Sequence, residues 1–415
     1  MAALLTPLGL AAAGFMFGFG PKERDAEANA DYEVEWRLPV GCGFSGFFTE
    51  VVLGFLPALS ERLPVRLLSG QCEESWLTAN LDPADAAAFR AAWVDEAKRT
   101  RKQTAASIAI EHGEPCGMRT WPSKSPDRPI RVISRSMTES NLEPEQAECL
   151  RDRADAAWVP TAWHVERFVA AGVDRSLLHV VPEPVDTVFF SPVHRTPRRA
   201  AVSPREPFVF FSNFKWEWRK GWDLLLDAFW AEFGSDEAVR LDIKTWLPPW
   251  EGGAEIEVVV ADRARGTNRS RLPPVRMLQD DVTRASLRDL YAAADAFVLP
   301  TRGEGWGLPI AEAMAMGLPV IATNWSGPSA YLSTANSHPL PVATLLAAGF
   351  AEPSVPSLQA ALRRAFDERG EVAERRGRLA RADIERCCSR AAVAEVVLQR
   401  LRVGREPPHS HQVEL

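Results

Sequence analysis

The stretch AFVLPTRGEGWGLPIAEAMAMGLPVIAT, residues 296–323, carries most of the information about the fold. Four apolar residues, Ala296 to Leu299, read as a short buried strand that stops at Pro300. Gly303-Glu304-Gly305-Trp306-Gly307 forms a glycine-rich loop, and Pro309 opens a helix as a first-turn residue. Gly317 and Pro319 close that helix, and the next strand starts at once and runs to Thr323. A glycine loop and a helix N-terminus at the carboxyl end of a parallel strand mark the place where open α/β sheets bind ligands. Free amides there suit a phosphate, and glycines let it approach. Glu304 and Glu312, with seven residues between them, flank the loop. Carboxylates repel phosphate, so their task is to accept hydrogen bonds from sugar hydroxyls on either side of a diphosphate. Glu312 suits a ribose and Glu304 a transferred sugar; the plainer alternative is a solvated loop acid and a dipole-complementing first-turn acid.

Outward from this stretch the chain alternates strands with helices. In the first half, strand patterns cover Val34–Leu38, Val65–Leu68, Ser107–Glu111, Ile130–Ser134 and His179–Val181, with helices over Phe47–Arg62 and Trp163–Ala171. Between Pro182 and Pro207 the composition shifts to Pro, Arg and Ser, which marks a boundary. A second series follows: strand Phe208–Ser212, helix Gly221–Phe233, strand Arg240–Thr245 and helix Ser286–Ala293, with helices Ser357–Glu368 and Glu374–Leu401 at the end. The expectation is an α/β chain of two Rossmann-like, doubly wound domains facing a central cleft. They span residues 31–185 and 208–385, with a linker at 186–207, a tail at 1–30, and a C-terminal helix and tail at 386–415.

The chain has 415 residues, 46% hydrophobic and 25% charged, which excludes a wholly disordered or polytopic membrane protein. A net charge of −7 argues against non-specific nucleic-acid binding. Only seven of the 48 basic residues are lysines, so Lys215 and Lys220 in one short segment stand out. Six scattered cysteines form no C-x-x-C pair and no metal-ligand spacing, so neither a metal site nor a disulfide framework is expected. Cys387 and Cys388 read as helix-packing thiols. Residues 1–21 lack charge, and residues 4–19 are mostly apolar. That run lies between a signal-peptide core and a membrane span of about 20 residues. Membrane association or secretory-pathway (ER/Golgi) targeting stands beside a plain tail on a cytoplasmic protein.

Residues 304–323, EGWGLPIAEAMAMGLPVIAT, resemble the retaining GT-B glycosyltransferases of the glycogen-synthase-like superfamily, the group 1 or family 4 enzymes with an E-x7-E motif. FSNFKWEWRKG, residues 211–221, followed by Leu224 to Phe229, is similar to that family's segment where a strand ends in a basic R-K-G. Residues 136–139, 155–161 and 181–187 resemble its interdomain connection. The resemblance implies a GT-B fold and a nucleoside-diphosphate sugar as co-substrate, with no other cofactor and no metal. It implies that Lys220 and Arg219 neutralise the donor diphosphate, Lys220 being favoured because adjacent residues need not both face the cleft. The family usually has an arginine several residues before R-K-G; Phe214 and Lys215 occupy that region here, and Lys215 would stand in for it. Gly303, Gly305, Trp306, Gly307 and Leu308 would line the donor, and His112 would reach its sugar or else be satisfied by backbone. The acceptor, a glycan, lipid or protein, is left open. In the loop after Thr323, residues 324–330 (NWSGPSA) place serine and alanine where relatives commonly have glycine and an acid.

Gly41, Gly43 and Gly46 make a G-x-G-x-x-G, the dinucleotide fingerprint, but the next acids, Glu73 and Glu74, come late for a ribose contact. The loop is better explained as the glycine turn with which the N-terminal domain faces the acceptor. An inactive nucleotide-sugar binder and an NAD-linked oxidoreductase are the alternatives to a transferase. Most of the 14 tryptophans are expected in the core, although Trp216, Trp218, Trp246 and Trp306 fall in or near the site.

Overall fold

A computed structural model describes residues 32–38, 40–41, 46–95, 107–122, 125, 128–195 and 206–402. Residues 1–31, Gly43 and the C-terminal tail from residue 403 lie outside the described residues, so the tail, targeting and membrane expectations do too. Among the described residues no helix is long and apolar enough to cross a membrane.

The N-terminal domain is a seven-stranded parallel sheet. Its strands are β1 (Glu33–Leu38), β2 (Val65–Ser69), β3 (Trp93–Asp95), β4 (Ser107–His112), β5 (Arg131–Arg135), β6 (Ala156–Val159) and β7 (Leu178–Val180). Their order is β3-β2-β1-β4-β5-β6-β7. The C-terminal sheet has six parallel strands: β8 (Phe208–Lys215), β9 (Val239–Trp246), β10 (Val275–Leu278), β11 (Ala296–Leu299), β12 (Val320–Thr323) and β13 (His338–Leu340). They run in the order β10-β9-β8-β11-β12-β13. Both sheets are doubly wound, with switch points between β1 and β4 and between β8 and β11. Helices cover both faces, so β6, β11 and β12 are buried at every residue, as their apolar runs, broken only by the terminal Thr323, require. A hairpin of β14 (Val342–Leu345) and β15 (Ala351–Pro353) follows β13.

The helix expected over 374–401 is two helices, Glu371–Cys388 and Arg390–Arg402. Ser389 between them is extended and bridges Val185, where the chain also crosses between domains. The first helix packs on the C-terminal core through Ala380 and Ile384. The second returns to the N-terminal core through Val393, Val397 and Leu401. Next to the crossing, Asp186 takes a hydrogen bond from Arg284 at 2.6 Å and lies 3.0 Å from Arg390, tying linker, C-terminal domain and last helix together.

The absence of disulfides read from spacing is corrected. Cys116 is bonded to Cys149, Cys387 to Cys388, and Cys72 is disulfide-bonded as well. Cys116 and Cys149 are 33 residues apart in sequence but lie on a loop and a helix that pack together, which linear spacing does not reveal.

Candidate active site at the domain cleft

Strands β8 and β11 are neighbours at the C-terminal switch point, pairing Phe210 with Ala296. The chain leaving β8 turns through Trp218–Lys220 and reverses at Gly221, whose φ is +69°. A Cβ at Gly221 would strike the Pro300 carbonyl, so the turn after β8 can lie against the exit of β11 only with glycine there. The amide of Arg302 and the hydroxyl of Thr301 both donate to the Arg219 carbonyl, at 2.6 and 3.0 Å. The basic turn and the glycine loop are thus joined by one backbone bond and one threonine hydroxyl before any charged side chain takes part.

Lys220 and Arg219 both converge on Glu304, correcting the expectation that only one of them need face inward. The Lys220 ammonium donates to both Glu304 oxygens at 2.6 and 2.8 Å. Arg219 lies 3.6 Å from Glu304, 2.8 Å from Glu217 and 3.3 Å from Glu139, which reaches over from the N-terminal domain. Burial pushes the Glu304 carboxyl up, but Lys220 and Arg219 outweigh it and hold the group below its usual range, hence ionised. Burial and the neighbouring Arg219 charge pull Lys220 down. The Glu304 amide donates to Ser326 Oγ at 2.9 Å, and the Gly327 amide donates to the Glu304 carbonyl at 3.0 Å. The loop after β12 therefore supports Glu304 directly.

The glycines have another use than the one expected. A Cβ at Gly303 would run into the Glu139 carbonyl, and one at Gly305 into Met137 Sδ. The space read as phosphate room is occupied by a segment of the N-terminal domain, and it is close domain approach that requires these glycines. Gly307 (φ +91°) precedes the helix Leu308–Ala315, which starts without a side-chain cap. Trp306 is buried against Tyr331, with ring centroids 5.0 Å apart.

Glu312 lies one turn into that helix and accepts from the Tyr291 hydroxyl at 2.8 Å. Burial raises it to about 7, against the pull of Tyr291 and Arg284. A carboxyl raised on folding stabilises the fold while protonated, an effect complete below the ordinary value of 4.5 and lost as pH rises through about 7. Wild type should therefore lose thermal stability relative to Glu312→Gln as pH rises from 4.5 to 7. Melting curves that stay parallel across that range would contradict the assignment.

Two expected site residues lie elsewhere. His112 faces the protein with both ring nitrogens: Trp36 Nε1 donates to Nδ1 at 3.3 Å, and Nε2 lies 3.2 Å from Glu50. Strand β4 is central and covered on both faces, so its last residue stays beneath Phe47 and Trp36 instead of reaching a sugar. Glu50 is also bound by Arg135 at 2.7 and 2.9 Å. Beside it, Glu183 is pushed well above the carboxylate range by burial and by the Glu50 charge. Lys215 leans toward β9, its ammonium 5.8 and 5.2 Å from the Trp246 and Trp250 ring centroids, and does not join Lys220. Of the N-terminal loop, Gly41 packs on the Gln71 backbone, Gly46 faces open space, and Gly43 is outside the described residues. Tyr291, Ser326, Glu139, Glu217 and Arg302 were not anticipated as site residues. Only Tyr291, one of three tyrosines, carried any compositional signal.

Residues 205–355 match the family model described as glycosyl transferases group 1. The D-inositol 3-phosphate glycosyltransferase of Pseudarthrobacter chlorophenolicus is 31% identical over 161 residues, 38% of this chain and 36% of that protein. The mannosylfructose-phosphate synthase of Agrobacterium fabrum is 29% identical over 160 residues, 38% of this chain and 34% of its own length. The chain thus spans about a third of the length of these two relatives. Anabaena Alr3699/HepE in complex with UDP-glucose superposes with a TM-score of 0.62 at 12% identity, covering 89% of this chain and 99% of that one. The sucrose-phosphate synthase of Thermosynechococcus elongatus gives 0.61 at 15% identity, covering 89% and 98%. The architecture is the GT-B fold, and the matched stretch contains Lys220, Arg219 and Glu304. Among the described residues no group of three or more His, Cys, Asp or Glu is placed to hold a metal ion.

Proposed function

We propose that the chain is a retaining glycosyltransferase that moves a sugar from a nucleoside-diphosphate donor to an acceptor hydroxyl without requiring a metal ion. The observation that carries this reading is the convergence of Lys220, Arg219 and Glu304 at the switch point, directly beneath the N-terminal domain. The HepE neighbour was solved with UDP-glucose, which supports a nucleotide-sugar donor on this fold. In the reaction the bond from the sugar C1 to the diphosphate oxygen breaks, and the acceptor oxygen bonds to C1 on the same face. The acceptor proton passes to the departing phosphate oxygen. Lys220 and Arg219 stabilise the charge that builds on that oxygen, as fixed cations in a water-poor site do best. Glu304 accepts from the transferred sugar and Glu312 from the ribose, while Gly41 and Gly46, beyond β1, lie on the acceptor side. Donor binding exchanges Glu139 for phosphate on Arg219.

The NAD reading loses support, because the first acids beyond β2 sit at the start of the helix Glu74–Asn80, where Glu74 is exposed and paired with Arg90. The test is release of free nucleoside diphosphate from UDP-, GDP- and ADP-sugars, read together with binding of the diphosphates alone. Glu304→Gln should bind the diphosphate yet lose turnover about 10²–10³-fold. A wild-type protein that binds no nucleoside diphosphate ends the proposal. One that binds donor but neither transfers nor hydrolyses it would be the inactive binder.

A further inference from the structure

Strands β8 and β9 pair in register to their last residues, Lys215 opposite Trp246. Their carboxyl ends therefore deliver both side chains to one ledge on the ligand side of the sheet. Pro248 and Pro249 bend the chain back, bringing the Trp250 ring to 6.1 Å from Trp246, edge-on at 80°. Trp250 is 63% exposed and Trp246 38%, whereas neighbouring Trp216 is buried against Trp222. An open indole is no surprise alone, but this one is held in place. Trp250 Nε1 donates to Glu217 Oε1 at 3.2 Å, and the other Glu217 oxygen lies 2.8 Å from Arg219. One buried carboxylate thus orients both an exposed ring and a proposed diphosphate cation.

We infer that Trp250 and Trp246 seat the donor's nucleobase and that Lys215 reads a carbonyl oxygen on its edge, which selects uracil or guanine over adenine. This rests on the nucleoside-diphosphate donor proposed above. The direction follows from the loop. Glu304, proposed above to accept from the transferred sugar, lies on one side of Arg219 and faces the N-terminal domain, so the sugar, which must meet an acceptor, lies on that side. The nucleoside leaves the diphosphate the other way, along Glu217 toward Trp250. A preoriented aromatic face suits any base, because every base has a π-face. The ammonium adds the discrimination: with three donors and no acceptor it can meet the carbonyls of uracil or guanine, and adenine has none. Lys215 thereby serves the base instead of the diphosphate.

Calorimetric titrations with UDP, GDP, ADP and inorganic pyrophosphate test this in wild type, Trp250→Ala and Lys215→Met. Trp250→Ala should weaken UDP and GDP by about tenfold, as loss of a stacking face does, with pyrophosphate affinity retained. Lys215→Met should narrow the preference of UDP and GDP over ADP. Both side chains are at the surface, so melting temperatures near wild type will show that the variants are folded. Unchanged UDP and GDP affinity in Trp250→Ala, or an equal loss for pyrophosphate, overturns the inference. So does a wild-type protein that binds ADP as tightly as UDP and GDP. Failure of wild type to bind any nucleoside diphosphate would instead refute the donor reading itself.

Discussion

Lys220→Ala is expected to lower turnover of a nucleoside-diphosphate sugar by about 10²–10³, the usual cost of removing one fixed group that stabilises developing charge. The same change should destabilise the fold. Lys220 is 7% exposed and Glu304 5%, and the two are joined through both carboxylate oxygens. Removing the ammonium leaves a buried carboxylate with Arg219 at 3.6 Å as its remaining cation, a loss of about 3–5 kcal/mol by analogy with other broken buried pairs. Urea titration measures the stability term, and product formation at saturating donor measures the catalytic one. A cycle with Glu304→Gln separates the two partners, and the double variant should cost much less stability than the single effects combined. Turnover within threefold of wild type would remove Lys220 from the mechanism.

Arg302→Ala should be about as damaging to stability, although Arg302 is not proposed to touch substrate. Its guanidinium donates to both Asp223 oxygens at 2.8 Å, to the Trp218 carbonyl at 2.7 Å and to Glu352 at 2.6 Å. It also lies 4.3 Å from the centroid of the Trp218 ring. One side chain thereby joins the loop after β11, the turn after β8, the helix Trp222–Glu232 and β15. Its loss leaves two acids without a partner and frees the turn that carries Arg219 and Lys220. A loss of about 3–5 kcal/mol follows, together with weaker binding of nucleoside diphosphate. Arg302→Lys should recover little, since an ammonium cannot serve two carboxylates in bidentate fashion. A variant within 1 kcal/mol of wild type in urea would refute the clamp.

Strands β11 and β12 were legible because all their residues but the last, Thr323, are apolar, and a parallel sheet covered on both faces demands such runs. Glu304 was legible through the glycines around it, although these serve domain contact more than phosphate approach. What escaped depends on partners distant in sequence. His112 resembled a cleft residue until Trp36 and Glu50 were seen to hold both its nitrogens. Lys215 was expected to bind the donor in place of an arginine, and only the β8–β9 register turned it toward Trp246. Arg302 is one arginine among many until Asp223 and Glu352 are seen to converge on it. The helix break at Ser389 has no glycine or proline to announce it; a bridge to Val185 makes it.

That break bears on how the molecule is made. The helix Arg390–Arg402 completes the N-terminal core, so the domain translated first lacks part of its interior until the last described residues are synthesised. The C-terminal core needs nothing beyond Cys388. On the ribosome, where domains ordinarily form in order of synthesis, the second domain here is able to finish before the first. The nascent N-terminal sheet and its helices wait with an apolar groove open, a natural client for a chaperone during most of translation.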